Sequence, residues 1–228
     1  MIGVTENLRK IRDLLAEAAA EAGRSPADVH LLAVSKKQPL EKIVAAADAG
    51  QCDFGENIVQ EGIDKITKLA ERALRWHFIG HLQSNKTRAV AEHFDWVHSV
   101  DKLKTARRLS EQRPESLGDL NVCIQVNIDE EDSKSGVPPA DVAELASAVA
   151  ALPRLRLRGL MCLPAIHDTF EEQRVPFART RELAESLARD GLAMDTLSMG
   201  MSDDYRAAIL EGATIVRIGT AVFGPRAT

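Results

Sequence analysis

Lys36 and Lys37 follow an apolar run, Leu31 to Val34, and stand just before Pro39. The run has the length and residue types of a buried strand, so the two lysines sit where such a strand stops. Desolvation at that place disfavours an ammonium, and a neutral amine can form a Schiff base with an aldehyde. The ordinary alternative is a charged strand end in water. Small residues gather near the other end of the chain: Gly200 and Ser202, then Gly219 and Thr220. They let backbone N–H groups approach phosphate oxygens, and a helix N-terminus there adds favourable partial charge. The N–H groups of Met199, Gly200 and Met201 are expected to face phosphate. Asp203 and Asp204 count against this unless their carboxylates point to solvent. A nucleophilic lysine with a phosphate cradle fits two chemistries. One is a Schiff base to pyridoxal 5′-phosphate (PLP); the other is a Schiff-base aldolase acting on a sugar phosphate. Arg217, on the approach to Gly219, bears on the choice. Beside a PLP pyridine nitrogen it would leave that nitrogen unprotonated, because a guanidinium cannot accept a proton. The ring is then a weaker electron sink. An ion pair at a strand end is the plain alternative for this arginine.

Positioning these residues requires a regular alternation of strands and helices, and the hydrophobic periodicity predicts one. Residues 5–22 form an amphipathic helix stopped at Gly23. Strands are then expected at Leu31–Ser35, Asp53–Gly55, Trp76–Ile79, Trp96–Val100, Asn121–Ile128, Leu157–Cys162, Thr196–Met199 and Thr214–Ile218. Helices are expected from Pro39 to Gly50 and at 57–73, 85–93, 102–113, 140–152 and 170–190. A last helix, Asp203–Glu211, would be capped by Ser202. Eight βα units with a repeat of about 28 residues suit a compact (β/α)₈ TIM barrel with an extra N-terminal helix. In that fold chemistry collects at the C-terminal strand ends and a phosphate is often held after strands 7 and 8. An open doubly wound sheet is the rival.

Composition narrows the classes. The 228 residues, 45 % apolar and 28 % charged, read as one soluble domain spanning 1–228. A net charge of −5 argues against nucleic-acid and anionic-membrane binders. Three dispersed cysteines give no disulfide framework and suit a reducing cytoplasm. The charged N-terminus is neither a signal peptide nor a membrane span. His77 and His81 do not share a helix face, so no metal pair is expected, and His30, His93, His98 and His167 form no constellation. Met161, Met199 and Met201 are read as packing residues, and Lys86 and Arg88 as a solvated face.

Eight segments together carry a family resemblance: LLAVSK (31–36), FGEN with VQE (54–57 and 59–61), WHFIGHLQSNK (76–86), HSVD (98–101), SKSG (133–136), RGLMC (158–162), LSMGMSDDY (197–205) and VRIGTAVFG (216–224). The chain resembles the pyridoxal phosphate homeostasis proteins, PLP-binding barrels related to the N-terminal domain of alanine racemase. The resemblance implies a fold-type III PLP barrel with PLP bound covalently to Lys36. It implies phosphate contacts at Ser198, Met199, Gly200, Met201, Ser202, Gly219 and Thr220. It puts Arg217 by the pyridine nitrogen, with Asn57 and His81 lining the pocket. Ile58 departs from the tyrosine usual after GEN. The function implied is PLP homeostasis, as cofactor reservoir or carrier, with apo PLP-dependent enzymes as recipients. The alternative is an amino-acid racemase, which needs an acid/base on each face of the ring. Here the only tyrosine is Tyr205, and no second base is evident. The racemase's added C-terminal domain is not expected in a chain ending at Thr228, so a monomer without catalysis is anticipated. Lys134, in the acidic loop Asp129–Gly136, is a candidate for accepting PLP in transit or gating its release.

Overall fold

Eight parallel strands close into a barrel, each neighbouring the next in sequence order and β8 returning to β1. The structure, a computed structural model, describes residues 3–131 and 134–225. Its elements run α1 (Val4–Glu21), β1 (His30–Val34), α2 (Leu40–Asp48), β2 (Asp53–Glu56), α3 (Val59–Lys68), β3 (Arg75–Phe78), α4 (Thr87–His93), β4 (Trp96–Val100) and α5 (Leu103–Gln112). They continue with β5 (Leu120–Val126), α6 (Val142–Ala150), β6 (Leu155–Cys162), α7 (Phe170–Arg189), β7 (Thr196–Ser198), α8 (Tyr205–Leu210), β8 (Ile215–Ile218) and α9 (Thr220–Phe223). The expected (β/α)₈ barrel with an extra N-terminal helix is the fold, and the open sheet is excluded by the β1–β8 pairing of Leu32 with Arg217.

Two apolar layers hold it. The larger lies between strands and helices, where Phe54, Phe78, Phe94 and Val97 meet helix residues such as Leu8, Ile43, Val90 and Leu109. Helix α1 contributes Leu8, Ile11, Leu15, Ala18 and Ala19 at helical spacing. The smaller cluster joins Trp96, Cys123 and Met161 on β4, β5 and β6. The remaining core includes polar groups: His77, His98, Ser198 and Arg217 are all buried. Strands therefore carry chemistry through the molecule as well as packing.

Several boundaries differ from expectation. The helix read over 57–73 is confined to α3, because Ile58 is its extended N-cap and Leu69 its C-cap. Ser202 does not cap α8. The N-cap is Asp204, in a turn over 202–204, and the helix begins only at Tyr205. Ser133 of the SKSG segment lies outside the described residues. Gly159 on β6 is fixed by close approach: a Cβ there would lie 1.8 Å from the Thr196 carbonyl oxygen of β7. Gly159→Ala must push β7 outward, and we expect it to lower unfolding stability by about 3 kcal/mol in urea titration.

Candidate functional site

At the C-terminal mouth of the barrel, the chain leaves β1 through Ser35 and turns at Lys36 and Lys37. Lys36 is half-buried, and Lys37 is exposed with φ of +57°, a left-handed conformation for a residue with a Cβ. The turn is held from below by a lysine that the sequence had not singled out. Lys65 of α3 is buried, and its Nζ donates to the Ser35 carbonyl (2.7 Å), Glu56 Oε1 (2.8 Å) and Glu61 Oε1 (2.7 Å). Ser35 Oγ donates to the same Glu56 oxygen, and the Lys37 backbone N–H donates to Glu61. One buried ammonium thus ties the ends of β1 and β2 to α3 and fixes the backbone on both sides of Lys36. Burial pushes the Glu56 carboxyl upward against the pull of Lys65 and Ser35. The signal was present as the i,i+4 spacing of Glu61 and Lys65, but that spacing reads as a surface pair until the fold buries it.

Arg217 of β8 is buried, and its charge is met by neutral acceptors. Nη1 donates to the Ser198 carbonyl (2.5 Å) and to Ser198 Oγ (2.9 Å), and Nη2 to the Cys162 carbonyl (2.9 Å). Among the described residues no carboxylate lies within ion-pair distance of it. The strand-end ion pair that was the plain alternative is absent there, and desolvation lowers the guanidinium's pKa from its ordinary value. Burial also pushes the thiols of Cys123 and Cys162 up to about 12 and about 11, so neither is a ready nucleophile.

The other expected site residues divide. Asn57 is partly buried at the end of β2, with its Oδ1 enclosed and without a hydrogen-bond partner. Gly80 passes so close to Asn57 that a Cβ would lie 2.3 Å from the Asn57 carbonyl oxygen. His81 is exposed at the rim, 3.3 Å from Ser135 Oγ. Gly219 abuts the Val34 carbonyl and starts α9, with Thr220 exposed behind it. Gly200, at φ of +91°, lies against Ala208 and Tyr205. Ser198 directs its hydroxyl inward, to His98 and Arg217.

The phosphate reading of 199–201 needs correction. The Met199 N–H is spent on the Ile215 carbonyl (3.1 Å) and the Met201 N–H on the Asp204 carboxylate (2.5 Å). Asp204 does not point to solvent; it folds back over its own turn, and its burial raises its pKa. Met201 is 40 % exposed, so it is not a packing residue, whereas Met161 and Met199 are buried. Lys134 forms an ion pair with Glu131 at 2.7 Å.

His98 does belong to a constellation. Its ring lies 2.9 Å from His77, which in turn lies 3.1 Å from Asp53 at the N-terminal start of β2. Asp53 borders a cavity of about 740 Å³ at the opposite, N-terminal end of the barrel. In that cavity two pairs of charged groups answer one another, and Arg24 is spent on backbone carbonyls. Arg75 grips Asp53 with two bonds of 2.6 and 2.7 Å, and Arg158 pairs with Asp195 at 2.8 Å. The candidate site is therefore the mouth. Among the described residues no His, Cys, Asp and Glu group could hold a metal ion, and no helix is long and apolar enough to cross a membrane.

Two measurements test this electrostatic frame. Lys65→Met strands Glu56 without its cation and should cost about 3 kcal/mol, with Glu56→Gln added to it restoring much of the loss. Burial alone would raise the Asp53 pKa, but hydrogen bonds from Arg75 and His77 hold it well below the ordinary 3.8. Its stabilisation is complete above that ordinary value and is lost as pH falls below it. Thermal unfolding midpoints of Asp53→Asn should accordingly fall less steeply on acidification than those of the unaltered protein.

Comparisons with known proteins agree with one another. A family model described as alanine racemase, N-terminal domain, matches residues 6–227. A pyridoxal phosphate homeostasis protein of Pseudomonas aeruginosa is 57 % identical over 226 residues, covering 99 % of this chain and 97 % of that one. One from Escherichia coli strain K12 is 54 % identical over 234 residues, covering 99 % and 98 %. Among solved structures, PipY of Synechococcus elongatus with PLP bound superposes with a TM-score of 0.81 at 40 % identity, covering 92 % of this chain and all of that one.

Proposed function

The chain belongs to the pyridoxal phosphate homeostasis protein family, and on that premise we propose that it binds PLP covalently through Lys36 and serves as a cofactor reservoir or carrier in intracellular vitamin B6 homeostasis. The observation that carries the reading is Arg217. Arg113 is also buried on backbone carbonyls alone, so neutral partners can suffice structurally. What sets Arg217 apart is its place where β6, β7 and β8 end at the mouth, within reach of a ligand acceptor. The enclosed Asn57 Oδ1, lacking a hydrogen-bond partner, is a second group suited to a polar ligand at the same mouth.

When bound, PLP supplies an aldehyde for capture by an amine and a ring able to withdraw electrons. Lys36 would hold it, and the turn tied down by Lys65 keeps that amine in place. Thr220 and Ser202 would be hydroxyl donors to the cofactor's phosphate at the rim, beside Gly219. Asn57 and His81 would contact the cofactor from β2 and β3. Arg217 would face the ring nitrogen. It has protons to give and none to accept, so it favours an unprotonated ring and weak electron withdrawal. That suits retention better than turnover. Tyr205, the one tyrosine in the chain, opens α8 and packs on the outer hydrophobic layer, a poor place for a second acid/base. Apo PLP-dependent enzymes are the expected recipients.

Purified protein should absorb in the visible after PLP loading and desalting, and Lys36→Ala should lose that absorption entirely. Retention of the colour by Lys36→Ala would defeat the assignment of the lysine. A loaded protein that exchanges the α-hydrogen of amino acids for deuterium in D₂O would instead be marked as a catalyst.

A further inference from the structure

The hydrogen bonds beneath Arg217 form one continuous line that ends at the far side of the barrel. Arg217 Nη1 lies 2.9 Å from Ser198 Oγ, and Ser198 Oγ lies 2.7 Å from His98 Nδ1. His98 Nε2 lies 2.9 Å from His77 Nδ1, and His77 Nε2 lies 3.1 Å from Asp53 Oδ1. The five residues come from β8, β7, β4, β3 and β2. The order of protons follows from the two ends. An ionised carboxylate has no proton to give, and a guanidinium has no lone pair to offer. With neutral imidazoles, only one arrangement then satisfies all four bonds. Arg217 donates to Ser198, Ser198 to His98, His98 to His77, and His77 to Asp53. Both rings carry their proton on Nε2. Desolvation favours the neutral form of each ring, and for His98 the nearby charge of Arg217 adds to it.

The line is held laterally. Trp96 stacks on His77 with ring centres 5.3 Å apart and planes 8° from parallel. Arg75 fixes both oxygens of Asp53 at the edge of the floor cavity. Hydrogen bonds aligned head to tail in a dry interior polarise one another. A negative charge at the Asp53 end therefore makes Ser198 a better acceptor and draws proton density of Arg217 toward it.

We propose that Asp53, His77, His98 and Ser198 are positioning residues that set the donor strength of Arg217, so that a carboxylate at the barrel floor tunes the ring nitrogen of a cofactor held at the mouth. This rests on the reading that PLP binds beside Arg217. With the charge of Asp53 in place, Arg217 is a restrained donor and the ring nitrogen stays unprotonated. Without it, Arg217 donates more strongly and the nitrogen moves toward its protonated character.

Nitrogen-15 NMR provides the test in two arms. In unloaded protein with labelled histidine, His77 and His98 should each show a protonated Nε2 and a bare Nδ1; an imidazolium or an Nδ1–H tautomer at either ring overturns the line. In protein loaded with PLP labelled at its ring nitrogen, Asp53→Asn and His98→Gln should shift that resonance upfield. Asp53→Glu should restore the original position. Asp195→Asn removes the same charge from the floor outside the line and should leave the resonance in place. An unmoved resonance in both Asp53→Asn and His98→Gln, or an equal shift in Asp195→Asn, overturns the proposal. Failure of the unaltered protein to load PLP refutes the proposed function instead, while the histidine arm still judges the line.

Discussion

A guanidinium buried inside a parallel barrel is the constraint around which this molecule is arranged. Leaving such a charge without partners would cost several kcal/mol, more than most single contacts return. Arg217 is accommodated by the Ser198 carbonyl and hydroxyl and by the Cys162 carbonyl. Those acceptors come from β6 and β7, so the two strands must end where the guanidinium arrives. β7 is only three residues long, and its carbonyl at Ser198 is given to a side chain. Gly159 allows β7 to lie close enough to β6 for this to happen. The polar interior is thus a consequence of one buried charge, carried outward through Ser198, His98 and His77 until Asp53 meets it.

The two ends of the barrel use charge differently. At the floor, Arg75 with Asp53 and Arg158 with Asp195 close on themselves, and Arg24 donates to the Ile209, Ala213 and Asp28 carbonyls. At the mouth, Lys65 closes on Glu56 and Glu61, which leaves the Lys36 turn fixed. Arg217 at the same end is matched only by neutral acceptors. This division places ion pairs under the site and a guanidinium with neutral partners at its edge.

Much of the fold was legible because apolar periodicity is a local signal. The runs around Leu31–Val34, Trp96–Val100 and Asn121–Val126 were visible as strands, and α1 was visible from its Leu8, Ile11 and Leu15 stripe. Residue type alone had singled out Lys36 and Arg217, which the structure places half-buried after β1 and buried on β8. The site was not legible where register decides. His77 and His98 are 21 positions apart, and only the alignment of β3 with β4 makes them neighbours. Lys65 looked like half of a surface pair because burial is a tertiary property. Ser202 had the residue type of a cap, but Asp204 takes the Met201 N–H and delays the helix. That carboxylate also removes two of the expected phosphate donors from contention, together with the β8 carbonyl that takes the Met199 N–H.

The central claim is that one amine, at Lys36, captures PLP. Borohydride reduction of the loaded protein followed by peptide mass mapping tests it most directly. The account predicts a single added pyridoxyl phosphate group on the peptide carrying Lys36, fixed to that residue. Attachment at Lys37, Lys65 or Lys134 instead, or no attachment at all, would contradict it.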